Sequence, residues 1–135
     1  MITAIDTNVI LDVVIPDQKW GDVSGRALEL ADDAGSLVIC DIVHAELLAH
    51  FGSVGLCGEF LADTKIRVER VSPEAAMLAG TIWAAYRRRG GKRTRILPDF
   101  LVGAHAQIQA SRFLTRDQRF YSAEFRDLAV VRPEL

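Results

Sequence analysis

Four carboxylic acids stand where the chain changes character. Asp6 ends the apolar run "ITAI" and is followed at once by Thr7 and Asn8. Glu46 lies inside "DIVHAELLAHF", and Asp99 follows Pro98 at the head of "DFLVGAHAQIQA". Asp117 comes two residues after Thr115, the last residue of "RFLT". Carboxylates sharing one pocket repel one another, and some take up protons unless a cation neutralises them. All-oxygen ligands suit a hard ion, Mg²⁺ or Mn²⁺, rather than zinc. Such an ion lowers the pKa of a bound water and clamps a phosphate, which permits phosphodiester hydrolysis without a Ser or His nucleophile. Each acid also has a plain structural reading. Asp6 and Asp117 suit turns, Asp99 suits the positive end of a helix, and Glu46 suits a solvated helix face.

Whether the four meet depends on the elements that carry them. "ITAI" reads as a strand and "NVILDVV" as a helix, with a loop from Pro16 to Gly21. "VSGRALELADDAG" has helical spacing and stops at Gly35. "LVIC" is a continuous apolar run, the mark of a strand buried on both faces. "DIVHAELLAHF" follows as a helix with Asp41 as its expected N-cap, broken by Gly52-Ser53 before the short helix "VGLCGEFLADT". "IRVERV" alternates as a strand, and Ser72-Pro73 opens a helix that ends at Gly90-Gly91. Residues 90–97 read as a basic loop, "DFLVGAHAQIQA" as a helix, "RFLT" as a strand, "RDQRFYSAEFRD" as mostly loop, and "LAVVR" as a closing strand.

Strands alternating with helices predict one domain over residues 1–135, a three-layer α/β/α sandwich with a mostly parallel central sheet. In such a sheet the carboxyl ends of the strands share one rim, which all four acids reach from separate parts of the chain.

The composition bounds the classes. Half of the 135 residues are hydrophobic, a quarter are charged, and the net charge is −2, as in a globular protein. Cys40 and Cys57 make no disulfide framework and have no zinc spacing, so buried free thiols are expected. No basic leader with a cleavage site is present, and no run approaches the roughly 20 apolar residues of a membrane span. A cytoplasmic protein that does not associate with membrane is the expectation. Neither G-x-G-x-x-G nor G-x-x-x-x-G-K-[ST] occurs, which removes support for dinucleotide or P-loop chemistry.

The average charge hides a cluster. Arg87, Arg88, Arg89, Lys92, Arg93 and Arg95 supply six of the 16 basic residues within nine positions, just ahead of Asp99. They suit an RNA backbone, with affinity falling as salt rises, or simply a solvated helix end. Arg116 and Arg119 flank Asp117 and suit either substrate contact or ion pairing. Asp12 is expected on the surface. His44, His50 and His105 lack a metal spacing and read as packed or solvated, and Trp83 and Tyr86 read as core or dimer contacts.

The set "AIDTNVILD", "HAELLAHF", "PDFLVGAHA" and "FLTRDQRF", in this order over nearly the whole chain, resembles the PIN-domain ribonucleases, and among them the VapC-type toxins. The resemblance implies that Asp6, Glu46, Asp99 and Asp117 bind Mg²⁺ or Mn²⁺. It implies that Asn8 steadies Asp6 and that Thr115 orients the last acid or contacts a metal-bound water. It further implies an endoribonuclease, a homodimer, and an antitoxin partner. Residues 41–51 and 54–62 are apolar enough to leave a groove for a partner's amphipathic helix, or simply to be buried in the fold. Three positions depart from the pattern: Phe100 where a small residue is usual, His105 where a small or hydroxyl residue is usual, and Arg119 in place of a further acid. They leave a rival reading, a weakly active or inactive PIN-like binding module. An aspartyl-nucleophile phosphatase is a poorer match, because Asn8 stands where that chemistry needs a second Asp.

Overall fold

β-Branched and aliphatic residues dominate the strands, and parallel pairing buries those at the centre of the sheet. The structure, a computed structural model, describes residues 1–134. β1 (Ile2–Ile5) leads into α1 (Thr7–Val14) and α2 (Gly21–Ala34), and β2 (Ser36–Cys40) into α3 (Asp41–Phe51) and α4 (Val54–Thr64). β3 (Ile66–Glu69) is followed by α5 (Pro73–Arg88) and α6 (Leu97–Gln109). β4 (Arg112–Leu114), α7 (Gln118–Glu124) and β5 (Val130–Val131) complete the chain.

The five strands form one sheet in the order β3-β2-β1-β4-β5, with every neighbouring pair parallel. Ala4 pairs with Val38 on one side and Phe113 on the other. The chain steps outward from β1 to β3 and then returns past β1 to lay down β4 and β5. The direction therefore reverses between β1 and β4, and the rim at that point is where open sheets of this kind bind ligands. Leu37, Val38, Ile39 and Cys40 are all buried, as the unbroken run "LVIC" predicts for a strand covered on both faces.

Local signals set several helix ends. Ser53 and Ser72 accept the amides of Leu56 and Ala75, and Pro73 occupies the first turn of α5. Gly52 closes α3 with φ at 68°, the left-handed conformation glycine adopts at least cost. Gly103 serves a different purpose. A Cβ there would stand 2.5 Å from the Phe125 ring, so only glycine lets α6 lie this close to the aromatic cluster beyond α7.

Four expectations about the elements need correction. "RDQRFYSAEFRD" is not mostly loop, since Gln118–Glu124 is α7. Its polar density hides three aromatics that pack inward: Phe120 on Phe100 (5.5 Å between ring centres), Tyr121 on Phe113 (4.8 Å), and Phe125 at the far end. "IRVERV" stops at Glu69 because the backbone then turns to side-chain partners. The Val71 amide goes to Asp41 Oδ1 and the Ser72 amide to Gln109 Oε1. Asp41 is thereby the first residue of α3, with Cys40 in the N-cap position. The closing strand shrinks to Val130–Val131.

Asp12, expected on the surface, is buried, because Ser24 and Arg116 satisfy its carboxylate. His105 is buried too, with Nε2 3.0 Å from Glu69 Oε1. Cys40 and Cys57 are buried free thiols, and burial pushes Cys40 up to about 11, which leaves it inert. No helix among the described residues is long and apolar enough to cross a membrane.

Candidate active site

At the reversal point the ends of β1 and β4 lie side by side, joined where the Asp6 amide reaches the Leu114 carbonyl. Asp6 leaves the strand with φ −79° and ψ 151°, and its Oδ1 accepts the Thr7 amide at 2.8 Å, starting α1. Its Oδ2 accepts the Thr115 hydroxyl at 2.6 Å and the Asn8 side-chain amide at 3.3 Å. The Thr115 oxygen in turn accepts the Asp117 amide at 2.9 Å, and Asn8 Oδ1 accepts the Arg116 amide at 3.2 Å. Residues 115–117 are thus laced to residues 6–8, so the two acids cannot drift apart independently.

Glu46 comes from the second turn of α3 and is held by the Thr7 hydroxyl, 2.9 Å from its Oε1. Asp99 comes from the first turn of α6, where its Oδ2 accepts the Ile96 amide at 3.0 Å. The structural reading of Asp99 as a helix-start residue is therefore realised alongside its place at the rim. Asp6, Glu46, Asp99 and Asp117 all line one cleft of about 270 Å³, together with Thr7, Asn8 and Tyr121.

Crowding shows in the electrostatics. Burial raises the Asp6 carboxyl to about 6, helped by the charges of Glu46 and Asp117 and opposed by the hydrogen bonds from Thr115 and Thr7. Burial raises Tyr121 far above its ordinary range, helped by Asp6, Asp99 and Asp117, so it is a neutral phenol. Among the described residues no three acids are near enough to grip one ion as they stand. A cation from the chain itself meets part of the charge instead. Arg95 Nη1 lies 2.5 Å from Asp117 Oδ2, with its guanidinium 4.0 Å from the centre of the Phe120 ring. Desolvation works against this guanidinium, but Asp117 and Asp99 outweigh it and raise its pKa.

The donor set nonetheless fits a hard divalent ion. Every candidate ligand is a carboxylate oxygen, and the lacing places two of them on adjacent strand ends.

The basic residues divide. Trp83, Arg87, Arg88, Lys92, Arg93 and Arg95 line a groove that runs to Ile96, beside the cleft wall at Pro98 and Asp99. Arg89 turns away to pair with Glu124 and cover Tyr86. Arg116 pairs with buried Asp12 at 3.1 Å and covers Trp20, so its side chain is a structural brace, while Arg119 is exposed. Phe100 neither lines nor narrows the cleft, because it packs in the core against Tyr86, Phe120 and Phe125. Reasoning from sequence missed Thr7 and Tyr121. Thr7 had a signal, a hydroxyl next to Asp6, whereas Tyr121 lay in the segment read as loop.

Comparison with curated proteins gives no significant sequence match. Among solved structures, the chain superimposes on a chain of VapBC2 from Rickettsia felis, determined with a DNA fragment from their promoter. The TM-score is 0.78 at 19% identity, over 99% of this chain and 100% of that one. A chain of VapBC-1 from nontypeable Haemophilus influenzae gives 0.74 at 19% identity, over 98% of each chain. One of FitAcB from Neisseria gonorrhoeae gives 0.71 at 21% identity, again over 98% of each. At such identities the likeness is one of fold. The sequence itself carries the family signature: the profile described as "PIN domain" matches residues 3–126, and the chain belongs to that family.

Proposed function

We propose that residues 1–135 form one nuclease domain, a Mg²⁺- or Mn²⁺-dependent endoribonuclease that serves as the toxin of a type II toxin–antitoxin pair. The observation that carries this reading is the gathering of Asp6, Glu46, Asp99 and Asp117 around one cleft at the sheet's reversal point. Asp6, Glu46, Asp99 and Asp117 are the residues that would hold the ion. A bound ion supplies Lewis acidity at the phosphate and a water that ionises near neutral pH.

The remaining work falls to the chain's own groups. Thr115 and Asn8 fix the orientation of Asp6 through its Oδ2, and Thr7 fixes Glu46. Asp6 must be ionised to bind a cation, so ligation draws its pKa down from about 6. Arg87, Arg88, Lys92 and Arg93 hold the RNA backbone along the groove beside the cleft, offsetting its repulsion by the acids.

The partner assignments rest on the fold shared with VapBC complexes. An antitoxin is proposed to cover the cleft, with α3 and α4 as part of its seat. Val54 and Leu56 of α4 are exposed there, at 79% and 55%. The same reading takes the protein to be a cytoplasmic homodimer.

Two observations favour the rival binding-module reading: Arg95 already occupies Asp117, and no three acids stand within reach of one ion among the described residues. Purified protein incubated with cellular RNA in Mg²⁺, Mn²⁺ or EDTA, beside the double variant Asp6→Ala/Asp99→Ala, separates the two. Discrete cuts that need metal and vanish in the variant support the nuclease. No cuts together with no calorimetric Mn²⁺ binding select the module.

A further inference from the structure

Arg95 belongs to two surfaces at once. It lines the basic groove with Lys92 and Arg93, and its Nη1 reaches across the rim to Asp117 in the acidic cleft. Arg95 and Asp117 are each about one-third exposed, so the pair lies at the boundary between protein and solvent rather than in the core. The guanidinium rests on Phe120, whose ring is itself clamped by Phe100, Tyr86 and Tyr121. Aromatic stacking holds the plane of an arginine while leaving its in-plane N–H groups free to change partners. Phe120 is thus a fixed platform under a head group that has a carboxylate on one side and the groove on the other.

Asp117 Oδ2 can satisfy either Arg95 or a divalent ion, and the two compete for it. Once displaced, the guanidinium stays on its platform at the groove, where the matching acceptor for its fork of donors is a phosphate. We propose that Arg95 is a positioning residue that exchanges between Asp117 and a nucleic-acid phosphate, so that metal and nucleic acid each help the other to bind. The coupling is reciprocal by thermodynamic necessity. This rests on the metal-site reading above, and it singles out one arginine of the basic cluster by what it touches.

Calorimetric Mn²⁺ titration of the full chain tests it at fixed pH and ionic strength, for wild type, Arg95→Gln and Arg119→Gln. Arg119 is a nearby exposed control that removes the same charge. The titrations are repeated with a short single-stranded DNA, checked for integrity by electrophoresis. Thermal melts confirm that each variant is folded. Arg95→Gln is expected to bind Mn²⁺ about three- to tenfold more tightly than wild type, the range of a partly exposed charge-assisted contact, with Arg119→Gln near wild type. DNA should tighten Mn²⁺ binding by wild type and leave that of Arg95→Gln unchanged. Equal Mn²⁺ affinity in wild type and Arg95→Gln overturns the exchange, as does equal tightening in Arg119→Gln. DNA that fails to bind at low salt, or that helps wild type and Arg95→Gln alike, overturns the coupling. Absence of Mn²⁺ binding in all three proteins is a different result, because it removes the four-acid metal site itself.

Discussion

Thr115 gives its hydroxyl proton to Asp6 Oδ2 at 2.6 Å and accepts the Asp117 amide on the same oxygen at 2.9 Å. One fully buried side chain thereby ties the acid after β1 to the acid after β4, across 109 residues of sequence. Sheet pairing brings the strand ends together, and this hydroxyl orients what they carry.

Replacing Thr115 by Val keeps the shape and removes both bonds. The variant should lose about 1–3 kcal/mol in urea denaturation, the cost of leaving a buried polar group unpaired. Its Mn²⁺ affinity should fall as well, because Asp6 loses the contact that most favours its ionised form. Thr115→Ser should recover most of both. A valine variant with wild-type Mn²⁺ affinity would show that Thr115 only packs.

The raised Asp6 carboxyl makes an unusual pH prediction. Its folded pKa of about 6 lies above the ordinary 3.8, so between those values the native state holds the extra proton. Stability without metal should therefore fall as pH rises from about 4 to 6 and stay reduced above that. In EDTA at pH 7.5, Asp6→Asn should be more stable than wild type by on the order of 2 kcal/mol, with the gap closing by pH 4. Mn²⁺ should restore the wild type at pH 7.5 and bind progressively more weakly below pH 6. A wild type more stable than Asp6→Asn throughout would reverse the sign and refute the argument.

Arginines that look alike in sequence should separate by assay. Arg116→Gln leaves the buried Asp12 carboxylate with Ser24 as its remaining polar side-chain partner among the described residues, and should cost about 3 kcal/mol of stability. Its effect on RNA affinity at low temperature should be small. Lys92→Gln and Arg93→Gln should do the opposite, lowering RNA affinity and flattening its salt dependence without moving the melting temperature.

Gly103→Ala should destabilise by about 1–3 kcal/mol, although alanine is the better helix former. The added methyl would meet the Phe125 ring at 2.5 Å, so that ring or α6 must shift. Because Asp99 is one turn away on the same helix, Mn²⁺ affinity should decline in parallel. An unchanged melting temperature would mean that the aromatic cluster absorbs a methyl group freely.

What the sequence determined by itself is what depends on neighbours along the chain. The runs "ITAI" and "LVIC" are strands because short apolar, branched segments bury best in a parallel sheet. Ser72-Pro73 starts a helix and Gly52 ends one because capping and the left-handed turn are local chemistry. The alternation of these elements already implied a rim, and the positions of Asp6, Glu46, Asp99 and Asp117 already placed four acids near it. Tertiary structure decided what depends on residues distant in the chain. Gln118–Glu124 became a helix because Phe100 and Phe113 wait to receive Phe120 and Tyr121. Asp12 is buried because Ser24 and Arg116 reach it, although its own spacing marks it as surface. Among the seven arginines of residues 87–95 and 116–119, Arg95 faces Asp117, Arg89 faces Glu124 and Arg116 faces Asp12. A long flexible cation takes its role from the partner that the fold brings within reach, and that partner is invisible in its own neighbourhood of sequence.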